Sequence, residues 1–227
     1  MAAPTTKSRN AEQTRAQLLA AAKREFARHG FHGARVEQIV KRAGCNMRML
    51  YHYFGNKENL YLKVLEAVYF DIRNKERQLN LTAHDPGEAL RRLVRFTWEH
   101  FLANRVFIDI TRNENLVGGR FIRKSVVISE MSSPLIEAIA DILERGLASG
   151  EFQHNADPLQ LYVSVVALCS HHLNNAHTLS AAFGTDLRDE AWLEARLHHV
   201  EAMALRFVGA RELNRGKIAG RQKAGHK

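Results

Sequence analysis

A chain of 227 residues is long enough for one large or two small domains with a buried core. Hydrophobic residues make up 45% of it, yet no apolar run reaches the length of about 18 residues that a membrane helix needs, so we expect no membrane partner. The opening segment MAAPTTKSRN has no apolar stretch and does not resemble a secretory signal, and two cysteines are too few for a disulfide framework. We therefore expect a cytoplasmic protein.

The charge of the chain is divided unevenly, which indicates a partner for its ends. Residues 1–60 contain 11 Lys and Arg against 4 Asp and Glu, and residues 209–227 contain 6 against 1. The intervening residues 61–208 contain 16 against 19. Basic ends around a mildly acidic middle favour contact between those ends and a polyanion such as DNA. We expect residues 1–9 and 209–227 to be disordered.

The first predicted helix runs from about Asn10 to His29. An apolar stripe that includes Leu18 and Phe26 recurs at helical spacing along it. Gly30 follows at once and suits the left-handed residue with which a helix commonly ends.

Two short helices joined by a tight turn are predicted over residues 36–54. Gly44 suits the end of the first helix, and Asn46 suits the start of the second because its side-chain oxygen can accept a free backbone N–H. Leu50 and Phe54 lie four residues apart and point inward. The outer side of the second helix then consists of Met47, Arg48, Tyr51 and His52. A pair of this kind is the helix-turn-helix unit, whose second helix enters the DNA major groove.

Residues 10–62 resemble the N-terminal domain of the TetR family of one-component transcriptional regulators. The matching segments are KREFARHGF, HGARVEQIVKRAG and MLYHYFGNKENLY, and the most specific part is the aromatic run at residues 50–54 followed by Lys57-Glu58. The resemblance implies an all-α protein with an N-terminal three-helix helix-turn-helix DNA-binding domain at residues 10–56. It also implies a larger C-terminal helical domain for ligand binding and dimerisation at residues 57–208.

The same resemblance implies which side chains meet double-stranded DNA. Arg48 stands where many members of the family have Gly, so a long cation would read a guanine there. Lys57 would contact a phosphate near a helix start. Arg35 replaces the usual Ser or Thr cap of the second helix, although an exposed Arg is often only a solvated charge. The predicted DNA-binding set is Arg35, Gln38, Asn46, Met47, Arg48, Tyr51, His52 and Lys57.

The rest of the chain predicts further helices and no strand. A fourth helix runs from about Asn56 to Gln78. Asp-Pro or Ser-Pro pairs mark three later helix starts, because the first residue can cap and Pro suits the first helical position. These starts predict helices over residues 86–103, 134–149 and 158–177, and apolar periodicity predicts others over 105–116, 119–131 and 187–208.

The resemblance also implies a cavity for a small-molecule effector among the middle helices. Aromatic candidates include Phe107 and Tyr162 and polar candidates include Asn113 and Glu114, although such residues more often fill a core. The segment FHGARVEQI is similar to regulators of pyrimidine utilisation, which implies an aromatic or nucleobase-like effector. The predicted ligand-binding set is Trp98, Phe101, Asn115, Phe121, His171 and Asn175.

The last two helices, 158–177 and 187–208, are expected to form a homodimer as a four-helix bundle. Its predicted seam consists of Leu161, Val165, Leu168, Leu193, Leu197 and Val200. Such a dimer would bind a palindromic operator as a repressor and release it when the effector binds. The alternative function is an architectural, nucleoid-type DNA-binding protein that has no effector.

Nothing in the sequence indicates catalysis. We find no Gly-rich phosphate loop, nucleophile elbow or metalloprotease helix. The 12 histidines include adjacent pairs, but adjacent histidines on a helix point about 100° apart and do not converge on one metal ion. We therefore expect neither an enzyme nor a bound metal or cofactor.

Overall fold

A computed structural model describes residues 6–210 of the chain, and the side chains of residues 10–210. Over these residues the chain forms α-helices and two short 3-10 turns without any strand, which confirms the predicted all-α fold. The helices are α1 (Thr6–Gly33), α2 (Val36–Ala43), α3 (Met47–Phe54), α4 (Lys57–Gln78), α5 (Pro86–Ala103), α6 (Arg105–Leu116), α7 (Val126–Ala148), α8 (Pro158–Phe183) and α9 (Glu190–Phe207), and the turns are Leu81–Ala83 and Ile122–Lys124.

The first helix begins earlier than predicted. α1 starts at Thr6, so residues 6–9 are helical and their predicted disorder is wrong. Gly30, at φ 65° and ψ −176°, ends the regular part of α1 where the sequence placed its cap. Most of the two basic ends, at residues 1–5 and 211–227, lies outside the described residues.

An N-terminal core joins α1, α2 and α3 to the first half of α4. Its fully buried members include Leu18 and Phe26 of α1, Leu50 of α3 and Leu60 of α4. Three residues from later in the chain close this core, namely Ile110, Phe121 and Ile128. Because α6 and α7 contribute to the same core, helices α1, α2 and α3 are packed directly against the rest of the chain.

The helices predicted at residues 119–131 and 134–149 are joined in the structure, so the predicted break between them and the predicted start at residue 119 are wrong. A 3-10 turn and one long helix, α7, occupy this region, and Pro134 lies inside α7. The helix is capped by Ser125, whose hydroxyl accepts a hydrogen bond from the N–H of Ile128 at 3.3 Å. An interior Pro weakens a helix by about 3 kcal/mol, but the buried stripe of α7 continues on both sides of it. That stripe consists of Ile128, Leu135, Ile139 and Ile142.

Helix α8 follows the prediction at its start and departs from it at its end. Asp157 caps α8 as expected, accepting a hydrogen bond from the N–H of Gln160 at 2.8 Å. The helix continues to Phe183 instead of ending at residue 177, with a kink at Asn175. Among the described helices none combines the length and the hydropathy that crossing a membrane requires.

The predicted dimer seam is wrong for three of its six residues. Leu161, Val165 and Val200 are at most 2% exposed and belong to the core of a single subunit, formed by α5, α7, α8 and α9. Leu168, Leu193 and Leu197 are partly buried against that same core. The three fully buried side chains are not available to a second subunit, so an interface between copies would have to use more exposed side chains of α8 and α9.

Candidate DNA-binding surface and effector cavity

Helix α3 is fixed to the N-terminal core by its inner side. Leu50 is 0% and Phe54 5% exposed, and Asn46 caps the helix through its Oδ1, which accepts a hydrogen bond from the N–H of Met49 at 3.0 Å. Gly44 ends α2 in the left-handed conformation, at φ 64° and ψ 29°, as the sequence predicted. A short helix held this firmly presents its outer side in one orientation.

Three side chains form the exposed outer side of α3, which we call the reading surface: Arg48, Tyr51 and His52. Tyr51 is 46% exposed, and Arg48 and His52 are exposed as well. Gln38 of the neighbouring α2 is exposed, and so is Arg35, which directly precedes that helix. The other two predicted contacts on this element have a structural role, since Met47 is half-buried against the N-terminal core and the oxygen of Asn46 is occupied by its cap.

Lys57 joins the start of α4 to the start of α2. Its Nζ donates a hydrogen bond to the carbonyl oxygen of Ala34 at 2.6 Å and lies 5.0 Å from the centre of the Phe31 ring. Burial lowers the pKa of Lys57, and the carboxylates of Glu37 and Glu25 act in the opposite direction. Two helix starts therefore lie side by side around one ammonium group, an arrangement that favours an anion such as a phosphate.

The missing cap of α2 is replaced from α1. Arg35 occupies the cap position without a side-chain cap, and its backbone N–H donates instead to Oε1 of Glu25 at 3.2 Å. The other carboxylate oxygen of Glu25 accepts a hydrogen bond from Nη1 of Arg42, near the end of α2, at 3.2 Å. One buried carboxylate therefore holds α2 at both ends.

A cavity of about 500 Å³ lies between α4, α5, α6 and α8. Aromatic rings and short aliphatic side chains form much of its wall, and hydroxyl, amide and guanidinium groups form the remainder. Its lining residues are Tyr69, Arg73, Phe101, Phe107, Ile108, Thr111, Arg112, Asn115, Tyr162, Val163, Val166, Ala167, Ser170 and Asn174.

The polar part of this cavity is organised around Arg73. Its Nη1 forms a buried ion pair with Glu76 one turn later on α4, and its Nη2 donates a hydrogen bond to the hydroxyl oxygen of Tyr162 on α8 at 3.0 Å. Burial raises the pKa of the Tyr162 hydroxyl, so that group is neutral. Arg112 also lines the cavity and pairs with Asp109 at 3.2 Å. The charged side chains among the lining residues are therefore those of Arg73 and Arg112, and both carry a guanidinium group.

Two of the six predicted ligand-binding residues, Phe101 and Asn115, line this cavity. The other four lie elsewhere. Trp98 is buried and stacks on His172 at 4.6 Å between ring centres. Phe121 is buried in the N-terminal core. His171 and Asn175 pair with each other on α8, where the Asn175 amide donates to the His171 carbonyl oxygen at 2.8 Å.

The polar candidates Asn113 and Glu114 point away from the cavity. The amide of Asn113 donates to the carbonyl oxygens of Phe26 and Ala27 on α1. Oε1 of Glu114 accepts hydrogen bonds from the N–H groups of Phe121 and Ile122, at 2.7 and 2.9 Å. Both residues therefore connect α6 to the N-terminal core.

Sequence reasoning missed several residues of the wall, most importantly Tyr69 and Arg73. The sequence of α4 did contain an indication of this site. The spacing of Leu65 and Ile72 predicts a buried face of the helix, and Glu76 lies on that same face. A charged residue on the inward side of a helix marks a polar site. Thr111, Arg112 and Ser170 were also missed.

Comparison with known proteins places these features in one family. The family described as "Bacterial regulatory proteins, tetR family" matches residues 18–64, and "Tetracyclin repressor-like, C-terminal domain" matches residues 86–203. The transcriptional repressor NicS of Pseudomonas putida is 36% identical over 200 residues, which cover 88% of this chain and 94% of NicS. The transcriptional regulator RutR of Escherichia coli is 26% identical over 212 residues, or 90% of this chain and 95% of RutR.

Among solved structures, SCO4942 from Streptomyces coelicolor shares the fold, with a TM-score of 0.65 and 24% identity over 87% of this chain and 99% of that one. The two family models match the N-terminal and C-terminal parts of the chain, NicS is similar over most of its length, and the solved structure shares the all-helical fold. The chain belongs to the TetR family of DNA-binding transcriptional regulators.

Proposed function

We propose that this regulator is a homodimeric repressor that binds a near-palindromic operator and leaves it when a small-molecule effector occupies the cavity. In this proposal residues 10–56 contact DNA, and residues 57–208 sense the effector and form the dimer. The observation that carries it is the reading surface: Arg48, Tyr51 and His52 are exposed on a short helix whose opposite side is buried. A helix of that kind fits the major groove.

The predicted DNA contacts take different roles in this proposal. Arg48 reads a base, since a guanidinium group can donate two hydrogen bonds to one guanine. Lys57 contacts a phosphate, together with the helix starts that it joins. Gln38 on α2 and Arg35 directly before it contact the DNA backbone or the edge of the major groove. Asn46 and Met47 act mainly by fixing α3, because the cap and the core occupy their side chains.

Exposed apolar side chains on the last two helices support a dimer. Leu159 and Val163 of α8 are each 54% exposed, and Met203 and Phe207 of α9 are 43% and 57% exposed. Apolar groups on the outer side of two adjacent helices favour pairing with the same helices of a second copy. The dimer would hold two reading surfaces at a fixed separation, which is why the operator should be nearly palindromic.

The cavity supports a small, flat effector. Its volume of about 500 Å³ lies within the range of about 300–1,000 Å³ that is usual for small-molecule sites. Four aromatic residues, Tyr69, Phe101, Phe107 and Tyr162, suit an aromatic or nucleobase-like ring. The guanidinium groups of Arg73 and Arg112, which are each paired with a carboxylate, also offer N–H donors to a ligand that accepts hydrogen bonds.

Selection of binding sites from a random pool of DNA duplexes tests the proposed function against the architectural alternative. The repressor should enrich one two-fold symmetric site and retain it as salt is raised, because base contacts survive when phosphate contacts weaken. An architectural protein should enrich no such site. Failure to obtain a symmetric site would contradict the proposal.

Thermal denaturation with a panel of aromatic acids and pyrimidines tests the sensing part. A ligand of the cavity should raise the Tm of the unmodified protein, since it binds the folded state alone. The same compound should raise the Tm less in the variant Arg112→Gln, which removes one guanidinium group from the lining. A compound that protects both proteins equally would bind outside the proposed site.

A further inference from the structure

Helix α6 has two faces with different partners. Phe107, Thr111 and Asn115 lie on the face that lines the cavity. Ile110, on the opposite face, is fully buried in the N-terminal core. A single helix therefore separates the proposed effector from the helices that carry the reading surface.

Asn113 makes the most direct connection across this boundary. Its amide nitrogen donates hydrogen bonds to the carbonyl oxygens of Phe26 and Ala27, at 3.1 and 3.0 Å. These carbonyl groups belong to the last regular turn of α1, where a helix leaves carbonyl oxygens without intrahelical partners. Asn113 also lies beside Gly30, since a Cβ atom built on that glycine would be in van der Waals contact with Cγ of Asn113, at 3.6 Å.

The opposite end of α6 is held by α8. Arg105, the first residue of α6, donates a hydrogen bond to the carbonyl oxygen of Leu173 at 2.8 Å. That carbonyl lies just before the kink at Asn175, where the backbone has φ −117° and ψ 15°. The helix that forms one wall of the cavity is therefore tied to α8 at its start and to α1 near its end.

From α1 the connection continues to α2 through one buried side chain. Glu25 precedes Phe26 and holds the backbone N–H of Arg35 and the guanidinium group of Arg42. Movement of the end of α1 would therefore move α2, against which α3 packs. Along this route, hydrogen bonds from a side chain to a defined partner join α6 to α1 and α1 to α2.

We propose that Asn113 is the positioning residue through which occupancy of the cavity changes the placement of α1 and α2. A ligand that displaces α6 would lengthen or break the hydrogen bonds from Asn113 to the two α1 carbonyl groups. The hydrogen bonds of Glu25 would then transmit the movement of α1 to both ends of α2. This inference depends on the proposed effector cavity, and it assigns the coupling to the contact between α6 and α1. Coupling of this kind requires an element that occupancy biases between two arrangements.

A double-mutant cycle tests this proposal without a known effector. The indole side chain introduced by Ala167→Trp serves as the probe that occupies the cavity, with Ser170→Trp as the replacement if the first variant does not fold. Hydrogen exchange of residues 24–42 is measured on DNA-free protein, in the unmodified background and in Asn113→Leu. Affinity for the selected operator is measured in parallel.

In the unmodified background, the indole should speed exchange in residues 24–42 and weaken operator binding by a factor between about 5 and 150. In the Asn113→Leu background, adding the indole should change neither quantity. Leu116→Ala, on the exposed part of the same helix, serves as the control and should leave both effects of the indole intact.

Two results would overturn the inference: an indole effect that persists undiminished in Asn113→Leu, or no change in exchange when the cavity is filled. Failure of the proposed function is a separate outcome. It would appear as the absence of a symmetric operator, whereas the exchange measurement needs no DNA and still reports whether the cavity and α1 are coupled.

Discussion

Arg73 of α4 donates a hydrogen bond from Nη2 to the hydroxyl oxygen of Tyr162 of α8, at 3.0 Å. The guanidinium group also lies 5.5 Å from the centre of the Tyr162 ring and pairs with Glu76 on its own helix. Helix α4 starts beside the reading surface, and α8 presents part of the proposed dimer face. The bond therefore connects two of the helices that form the wall of the cavity.

Removal of this hydrogen bond should destabilise the subunit. Tyr162→Phe keeps the ring but deletes the acceptor of a charged donor, which should lower the free energy of unfolding by about 1–2 kcal/mol. Urea denaturation measures the change. Tyr51→Phe removes an exposed hydroxyl and serves as the control. If Tyr162→Phe and the unmodified protein unfold at the same urea concentration, the hydrogen bond from Arg73 does not stabilise the fold as proposed.

Asn46 should behave as a helix cap. Asn46→Ala removes the acceptor for the Met49 N–H and should lower the free energy of unfolding by about 1 kcal/mol, because that N–H then lacks its partner. Asn46→Ser retains a capping oxygen and should restore most of the loss. Thermal or urea denaturation distinguishes them, and equal stabilities for the Ala and Ser variants would exclude capping as the main role.

Lys57 should contribute to DNA affinity without contributing to sequence preference. Lys57→Gln should weaken binding to all duplexes alike and reduce the slope of log K against log salt by about 1, as expected for one lost phosphate contact. Lys63→Gln, exposed further along the same helix, is the matched control. A loss confined to the selected operator would show that Lys57 reads bases instead.

His172 should make the stability of the protein depend on pH. Burial lowers its pKa to about 4, and the charges of Arg196 and His171 contribute further. The unfolded chain therefore takes up a proton between about pH 6.5 and pH 4 that the folded chain does not. Stability from the neutral ring is fully present above pH 6.5 and is lost as the pH falls towards 4, by on the order of 1–3 kcal/mol.

Urea denaturation of His172→Phe at several pH values checks this dependence. Phe retains a ring against Trp98 and Trp192 but does not titrate, so stability should fall less steeply between pH 6.5 and pH 4. His199→Gln, which alters an exposed histidine of α9, should retain the steep dependence. The same slope in His172→Phe and the unmodified protein would assign the effect to other groups.

Much of the N-terminal domain is predictable because its signals are local. Gly44 and Asn46 end one helix and begin the next through contacts within a few residues, so their types alone indicate the turn. Asn56 and Asp157 act in the same way at the starts of α4 and α8. The spacing of Leu50 and Phe54 also identifies the buried side of α3 correctly.

The remaining features depend on contacts that are distant in the sequence. Pro134 has the local signature of a helix start, but burial on both sides of it outweighs the interruption. Leu161 and Val165 are apolar at helical spacing, and that pattern does not say whether the same subunit or a second copy covers them. Asn113 meets α1 across 86 or 87 residues of sequence, so its direction could not be read from its neighbours.

In the proposed function, the outer side of α3 reads bases in both halves of a symmetric operator. The most direct test measures the affinities of Arg48→Ala for the selected operator and for its single-base variants. The account predicts a loss of about 1–3 kcal/mol and loss of discrimination at one base pair in each half-site, related by the two-fold axis. Arg92→Ala, which removes an exposed arginine of α5, is the control and should change neither the affinity nor the discrimination between bases. An unaltered base preference in Arg48→Ala, or a change in one half-site alone, would contradict the account.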